Sequence, residues 1–144
     1  MDSSRQQTLT VLIGDDDVSM RRSVVDLLSE RQELRILTVA SGADAFASLL
    51  HETIDFLILD VEMPGMTGIE VLQRYLQGAW IAPTGGAPAR PSRPRGMPTI
   101  FMSGNRDREI RRTCESLGRS FIDKPFQAQE LRQAVDQILL ELHR

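Results

Sequence analysis

The sequence predicts an α/β fold in which a doubly wound, five-stranded parallel sheet is covered by five helices. Short apolar runs alternate five times with segments whose apolar residues recur at helical spacing. The apolar runs are largely uninterrupted by polar residues, which is typical of parallel strands that are buried on both faces. Because crossovers between parallel strands are right-handed, the intervening helices are expected on both faces of the sheet.

Three strand–helix units account for the first half of the chain. Strands are predicted at residues 9–13, 34–39 and 57–59 from their apolar composition. The helices are predicted at about residues 18–32, from Ser41 as N-cap to about residue 50, and from about Gly68 to about residue 76. The third strand ends at Asp60, and a Met63-Pro64-Gly65 turn follows it.

The second half of the chain begins with a change in composition. Proline, glycine and arginine are frequent between about residues 78 and 97, so we predict a flexible inserted loop there. Strands are then predicted at residues 99–102 and 120–122, with a charged helix at about 106–117 between them. The last helix is predicted from an apolar face made of Leu131, Val135, Ile138, Leu139 and Leu142.

Composition indicates one globular domain over residues 9–144, preceded by a flexible tail at residues 1–8. The chain has 144 residues, 41% of them hydrophobic, which suffices for one core. The lone cysteine, Cys114, excludes a disulfide within the chain, so we expect a cytoplasmic protein. No apolar run is long enough to span a membrane, and a net charge of −3 gives no general attraction for nucleic acid.

Polar side chains follow four of the predicted strands and are expected to meet at one edge of the sheet, where such folds bind ligands. They are Asp15, Asp16, Asp17, Asp60, Ser103 and Lys124. Crowded carboxylates repel each other unless a hard divalent cation lies among them, and Mg²⁺ suits a site that meets a phosphorylated donor. Asp60 is then the candidate nucleophile, and a hydroxyl and an ammonium can neutralise a transferring phosphoryl group. Asp17 is expected to be the N-cap of the first helix or a solvated acid rather than a third metal ligand.

Four segments resemble the response-regulator receiver family, and together they extend over nearly the whole chain. They are VLIGDDD at residues 11–17, LILDVEMPGMTG at 57–68, FMSG at 101–104 and FIDKPF at 121–126. The second segment is the most specific, and the four occur in this order within an alternating strand–helix pattern. The resemblance implies a flavodoxin-like sheet with strand order 2-1-3-4-5.

The resemblance also implies roles for the residues at the strand ends. Asp60 would be phosphorylated, and Ser103 and Lys124 would hold the phosphoryl oxygens. The Lys124-Pro125 peptide would be cis, an isomer that bonds to proline tolerate. The implied Mg²⁺ ligands are Asp15, Asp16, Asp60 and the backbone carbonyl of Glu62.

Three residues depart from the family pattern. Switching in the family couples Ser103 to an aromatic residue on strand five, here Phe121, which lacks a hydroxyl to hold the ring at the surface. We therefore expect a weak switch or one biased towards the buried ring. Glu62 adds a negative charge beside the site and is expected to slow small anionic phosphodonors. Gly14 replaces the usual aliphatic residue and is expected to loosen the end of strand one.

The predicted function is that of a signalling module, which is not an enzyme beyond its own phosphorylation and dephosphorylation. The resemblance implies that a histidine kinase or phosphotransferase protein supplies the phosphoryl group. It also implies that the helix-four, strand-five and helix-five face, about residues 106–142, binds a downstream protein or a second copy. The last helix reaches the end of the sequence, so we expect no DNA-binding domain, and a stand-alone regulator and a fragment both remain open.

Two alternative functions remain open from the sequence. A receiver-like module could bind partners without phosphorylation, although the acidic pair and the residues at the other strand ends argue against this. The segment Asp15-Asp16-Asp17-Val18-Ser19 also matches the Asp-x-Asp pattern of haloacid-dehalogenase phosphatases, which would make Asp15 the nucleophile. The acidic residues after Lys124 fall on a predicted helix, which disfavours the metal motif that this second family needs.

Overall fold

The computed structural model describes residues 8–78 and 96–143, and within them five parallel strands form one sheet. The strands are β1 (Leu9–Gly14), β2 (Leu34–Val39), β3 (Phe56–Asp60), β4 (Thr99–Ser103) and β5 (Ser120–Asp123). Their order in the sheet is β2-β1-β3-β4-β5. The predicted fold class and strand order are therefore confirmed.

Each strand is followed by a helix, as the alternating sequence pattern predicts. The helices are α1 (Val18–Leu28), α2 (Gly42–His51), α3 (Gly68–Gln77), α4 (Arg108–Leu117) and α5 (Ala128–Leu142). The N-cap roles predicted for Asp17 and Ser41 are confirmed, because each side chain accepts a backbone N–H from the first turn of its helix. Helix α1 ends four residues before the predicted residue 32, and α4 begins two residues after the predicted residue 106, behind the N-cap Asp107.

The core lies in two layers, one on each face of the sheet. One layer packs α1 and α5 against the sheet, and the other packs α2, α3 and α4 against the opposite face. Strand β1 contributes to both, because Val11 and Ile13 lie in the first layer and Leu12 lies in the second. This two-sided burial explains why the strands read as continuous apolar runs.

Strand β1 keeps its pairing to its last residue, although the sequence led us to expect a loosened end at Gly14. Gly14 pairs with Val39 on one side and Leu59 on the other, and the next N–H, that of Asp15, donates to the Val39 carbonyl at 3.2 Å. A Cβ at residue 14 would lie 2.9 Å from the Cδ2 of Leu59. The neighbouring side chains thus fill the space that an aliphatic residue would take.

Two predicted segments lie wholly or partly outside the described residues. The tail predicted at residues 1–8 is described only at Thr8, which is exposed, and the loop predicted at about residues 78–97 is described only at its two ends. Gly78 ends α3 in the left-handed conformation with a φ of 62°, and Met97 is buried just before β4. None of the described helices combines the length and the apolar composition that a bilayer-spanning helix needs.

Candidate functional site

The carboxyl ends of four strands bring the predicted site residues together at one edge of the sheet. Asp15 and Asp16 follow β1, Asp60 is the last residue of β3, and Ser103 is the last residue of β4. One carboxylate oxygen from each of Asp15, Asp16 and Asp60 lies within 4.8 Å of the others. Asp15 and Asp60 are buried and Asp16 is exposed, so the acidic cluster opens to solvent on one side.

Lys124, directly after β5, joins the two buried carboxylates of this cluster. Its Nζ lies 3.0 Å from Oδ2 of Asp15 and 3.0 Å from Oδ2 of Asp60. Its backbone N–H donates to the Ser103 carbonyl at 2.9 Å, which ties the lysine to the end of β4. The Lys124-Pro125 peptide is cis, as the family resemblance implied.

Burial and the neighbouring charges shift the pKa values of Asp60 and Lys124. The pKa of Asp60 is raised from 3.8 to about 6, chiefly because the carboxyl is buried. The charge of Asp15 contributes to this rise, and the hydrogen bond and charge of Lys124 oppose it. Burial alone would lower the pKa of Lys124, but its hydrogen bonds to Asp60 and Asp15 outweigh burial and raise it. The three carboxylates exceed the one positive charge of Lys124, so the cluster favours an added cation.

Ser103 is held by a residue that the sequence did not identify as its partner. Its hydroxyl donates to both carboxylate oxygens of Glu62, each 2.8 Å away, and accepts the backbone N–H of Asn105 at 2.9 Å. Ser103 is fully buried, with 0% exposure, whereas Glu62 is exposed. From the sequence, only the negative charge of Glu62 near Asp60 was predictable. The position of Glu62, two residues after Asp60, does not indicate which residue its side chain contacts.

Arg21 on α1 is a second residue near the cluster that sequence reasoning missed. Its guanidinium donates to the backbone carbonyl of Asp15 at 2.7 Å, and the Asp15 side chain accepts the N–H of Asp17 at 2.9 Å. These bonds fix the loop that presents Asp15 and Asp16 to the site. The position of Arg21 in the sequence could have indicated this contact. A long side chain in the first turns of α1 can reach back to the loop that precedes the helix.

Phe121 on β5 lies behind the site, with its ring buried in the core layer that faces α4. The residue is 8% exposed, and the guanidinium carbon of Arg111 lies 5.1 Å from the ring centroid. The ring is therefore buried in this structure, and the expected bias of the switch stays a prediction. A coupling between this ring and Ser103 stays a prediction.

The donor set of the cluster fits a hard divalent cation. Three carboxylates within 4.8 Å match the oxygen preference of Mg²⁺, and the exposed side leaves space for the waters that this ion retains. The three carboxylates carry more negative charge than the single ammonium of Lys124 can balance, which favours a bound cation. The backbone carbonyl of Glu62 stays a predicted fourth ligand.

Comparison with known proteins relates the chain to signalling proteins. The family model described as "Response regulator receiver domain" matches residues 11–83, just over half of the chain. The chemotaxis protein CheY of Pseudomonas aeruginosa is 28% identical over 131 residues, which cover 90% of this chain and 95% of that protein. A protein-glutamate methylesterase/protein-glutamine glutaminase of Geobacillus kaustophilus is 39% identical over 72 residues, or 49% of this chain. The matched region spans only 21% of that methylesterase.

Solved structures show the same fold. The signal receiver domain of an HD domain-containing protein from Pseudomonas fluorescens matches with a TM-score of 0.76 and 21% identity, covering 95% of this chain and 98% of that one. The Vibrio cholerae chemotaxis protein CheY4 matches with a TM-score of 0.72 and 22% identity, covering 91% and 98%. With the matching family model, this fold shows that the chain belongs to the response regulator receiver domain family.

Proposed function

We propose that this receiver domain accepts a phosphoryl group on Asp60 in a reaction that requires Mg²⁺. The observation that carries the proposal is the position of Asp60, a buried carboxylate that shares an acidic cluster with Asp15 and Asp16 and contacts Lys124 at 3.0 Å. A nucleophile, a cation site and a fixed ammonium are the three parts that phosphoryl transfer to a carboxylate needs.

The donor is a phosphohistidine on a histidine kinase or a phosphotransferase protein. A carboxylate oxygen of Asp60 forms a bond to phosphorus while the phosphorus–nitrogen bond breaks, and the departing imidazole keeps the electron pair and takes a proton from water. The product is an acyl phosphate on Asp60. Water later attacks its phosphorus, which releases inorganic phosphate and restores the carboxylate.

The residues around Asp60 supply binding and electrostatic stabilisation. Asp15, Asp16 and Asp60, with the Glu62 carbonyl, would hold Mg²⁺, which when bound neutralises charge on the phosphoryl oxygens. Lys124 already lies 3.0 Å from Asp60 and can turn its ammonium from the carboxylates to a phosphoryl oxygen.

The signal would leave through the surface formed by α4, β5 and α5. Phe121 connects this surface to the site, because it lies on β5 next to β4 and contacts Arg111 of α4. A downstream protein or a second copy of the chain would bind there. The chain matches the methylesterase over only 21% of that protein, so the proposal takes nothing from the methylesterase reaction.

The test is the intact mass of the protein after incubation with acetyl phosphate and Mg²⁺. We expect a gain of one phosphoryl group in the wild type and none in Asp60→Asn or in the presence of EDTA. Asp26→Asn is the matched control, because it removes an exposed carboxylate on α1 and should be phosphorylated like the wild type. If acetyl phosphate gives no adduct, a phosphorylated histidine phosphotransferase protein is the second donor.

The remaining outcomes separate the proposal from its alternatives. No adduct from either donor would contradict the proposal and favour a module that binds partners without phosphorylation. An adduct on Asp15 that persists in Asp60→Asn would favour the haloacid-dehalogenase reaction instead. Peptide mapping after borohydride reduction of the acyl phosphate distinguishes the two aspartates.

A further inference from the structure

The hydrogen bonds of Ser103 leave its hydroxyl with nothing to donate to a phosphoryl group. A serine hydroxyl has one proton, and here both carboxylate oxygens of Glu62 share it at 2.8 Å. The hydroxyl oxygen also accepts the N–H of Asn105 at 2.9 Å, which fixes it from the other side. The residue has 0% exposure, so in this arrangement solvent does not reach it.

If Ser103 is to donate a hydrogen bond to a phosphoryl group on Asp60, it must use the hydroxyl proton that it now donates to Glu62. Ser103 can donate to a phosphoryl oxygen only after its bond to Glu62 is broken. The Glu62 bond is a charge-assisted hydrogen bond to a buried hydroxyl, which makes it stronger than a bond between neutral groups. Phosphorylation must therefore displace a carboxylate that the protein itself supplies.

We propose that Glu62 is a positioning residue that competes with the phosphoryl group for the Ser103 hydroxyl. This competition rests on the proposed function. It makes the phosphorylated state less favourable, because the hydrogen bond between Ser103 and Glu62 must be broken when that state forms. Glu62 keeps Ser103 in the arrangement of the unphosphorylated protein, and a phosphoryl group on Asp60 must displace Glu62 to receive the hydrogen bond from Ser103. The proposal thus assigns Glu62 a role in setting the affinity of the site for phosphoryl groups.

A simpler effect of Glu62 is repulsion, because its negative charge would oppose any anion at the site. Two variants separate repulsion from competition. Glu62→Asp keeps the charge, but its side chain is one methylene shorter and is expected not to reach Ser103. Glu62→Gln removes the charge and keeps one oxygen that can accept the hydroxyl. Repulsion predicts an effect from Glu62→Gln alone, whereas competition predicts an effect from Glu62→Asp as well.

The first measurement is the affinity of each variant for beryllium trifluoride, a phosphoryl analogue, in Mg²⁺. We expect Glu62→Asp to bind the analogue roughly ten- to a hundredfold more tightly than the wild type, the effect of losing one charge-assisted hydrogen bond. Asp26→Asn, the charge control on α1, should bind like the wild type. Wild-type affinity in Glu62→Asp would overturn the competition and leave repulsion.

The second measurement tests the Glu62–Ser103 contact in the free protein and needs no phosphoryl chemistry. Urea unfolding in EDTA of the wild type, Glu62→Asp, Ser103→Ala and the double variant gives a double-mutant cycle. We expect the double variant to lose less stability than the sum of the single variants, and additive losses would overturn the inference. Coupling without analogue binding by any variant would refute the proposed function, and the competition with it. Analogue binding without coupling would refute only the competition.

Discussion

Asp60 lowers the stability of the folded protein because it is a buried carboxylate, whereas the proposed phosphorylation requires a carboxylate at this position. A buried carboxylate is costly, and the neighbouring charge of Asp15 adds to that cost, while the contact with Lys124 recovers only part of it. The net result is a pKa of about 6, which lies above the ordinary value of 3.8. A core position would be better filled by a neutral group, so the carboxylate reduces stability in the metal-free protein.

This conflict predicts that Asp60→Asn is more stable than the wild type in EDTA at neutral pH. Because folding raises the pKa of Asp60 from 3.8 to about 6, the folded state binds the proton more tightly and wild-type stability falls as the pH rises through this range. Asparagine has no proton to lose, so its advantage should grow between about pH 4 and pH 7 to roughly 1 to 3 kcal/mol. Urea unfolding at several pH values measures this difference. A constant difference at all pH values would contradict the explanation.

At the scale of the single residue, the sequence predicted which residues lie at the same edge of the sheet better than it predicted their side-chain contacts. Asp15, Asp16, Asp60, Ser103 and Lys124 were predictable as a group because each follows a strand whose carboxyl end reaches the same edge. The bond between Glu62 and Ser103 was not predictable, because it joins side chains 41 residues apart through one rotamer of an exposed glutamate. Periodicity and spacing carry no information about such a rotamer.

At the scale of the element, the start of α3 packs closely against the end of the strand that carries Asp60. Thr67 caps the helix and accepts the N–H of Glu70, while the Glu70 side chain accepts the N–H of Thr67. Gly68, the first residue of the helix, lies so close to β3 that a Cβ there would be 2.4 Å from the Asp60 carbonyl oxygen. The glycine therefore allows the close approach of the helix to the end of the strand that carries Asp60.

This close approach predicts that Gly68→Ala is strongly destabilising and also impairs the site. The added methyl would meet backbone rather than a flexible side chain, so α3 or the end of β3 must shift, at a cost of about 2 to 4 kcal/mol. Gly104→Ala is the matched control, because a Cβ at residue 104 has no atom within 4 Å. Chemical unfolding measures both costs, and Mg²⁺ titration of the folded proteins measures the damage to the site. Equal costs for the two substitutions would contradict this reading.

The starts of helices were easier to predict from the sequence than their ends. The N-caps Asp17 and Ser41 were predictable because local side-chain chemistry determines a helix start. The end of α1 was placed too late, since the polar residues after Leu28 do not exclude a further helical turn. In the structure, Leu28 and Arg31 accept backbone N–H groups at 3.0 and 3.2 Å in the turns that lead into β2. The geometry of that connection, and not the local composition, ends the helix.

At the scale of the whole molecule, the sheet and the site depend on each other. The alternating pattern was sufficient to predict five strands and five helices, whereas the strand order came from the family resemblance and is confirmed by the structure. The order places β1 and β3 side by side, which brings Asp15 and Asp60 together although 45 positions separate them in the chain. An unfolded chain has no such cluster. A cation that binds the cluster must therefore stabilise the folded molecule as a whole.

We accordingly predict that Mg²⁺ raises the free energy of unfolding of the wild type. A ligand that binds only the folded state adds about 1.4 kcal/mol at a concentration ten times its dissociation constant, and the gain grows with the logarithm of concentration. Asp16→Asn should weaken this response, because Asp16 supplies one oxygen of the cluster. Its neighbour Asp17 caps α1, so Asp17→Asn should retain the Mg²⁺ response whether or not its baseline stability changes. Urea unfolding across a Mg²⁺ series measures all three proteins. A response of Asp16→Asn equal to that of the wild type would contradict the role of Asp16 as a ligand of the cation.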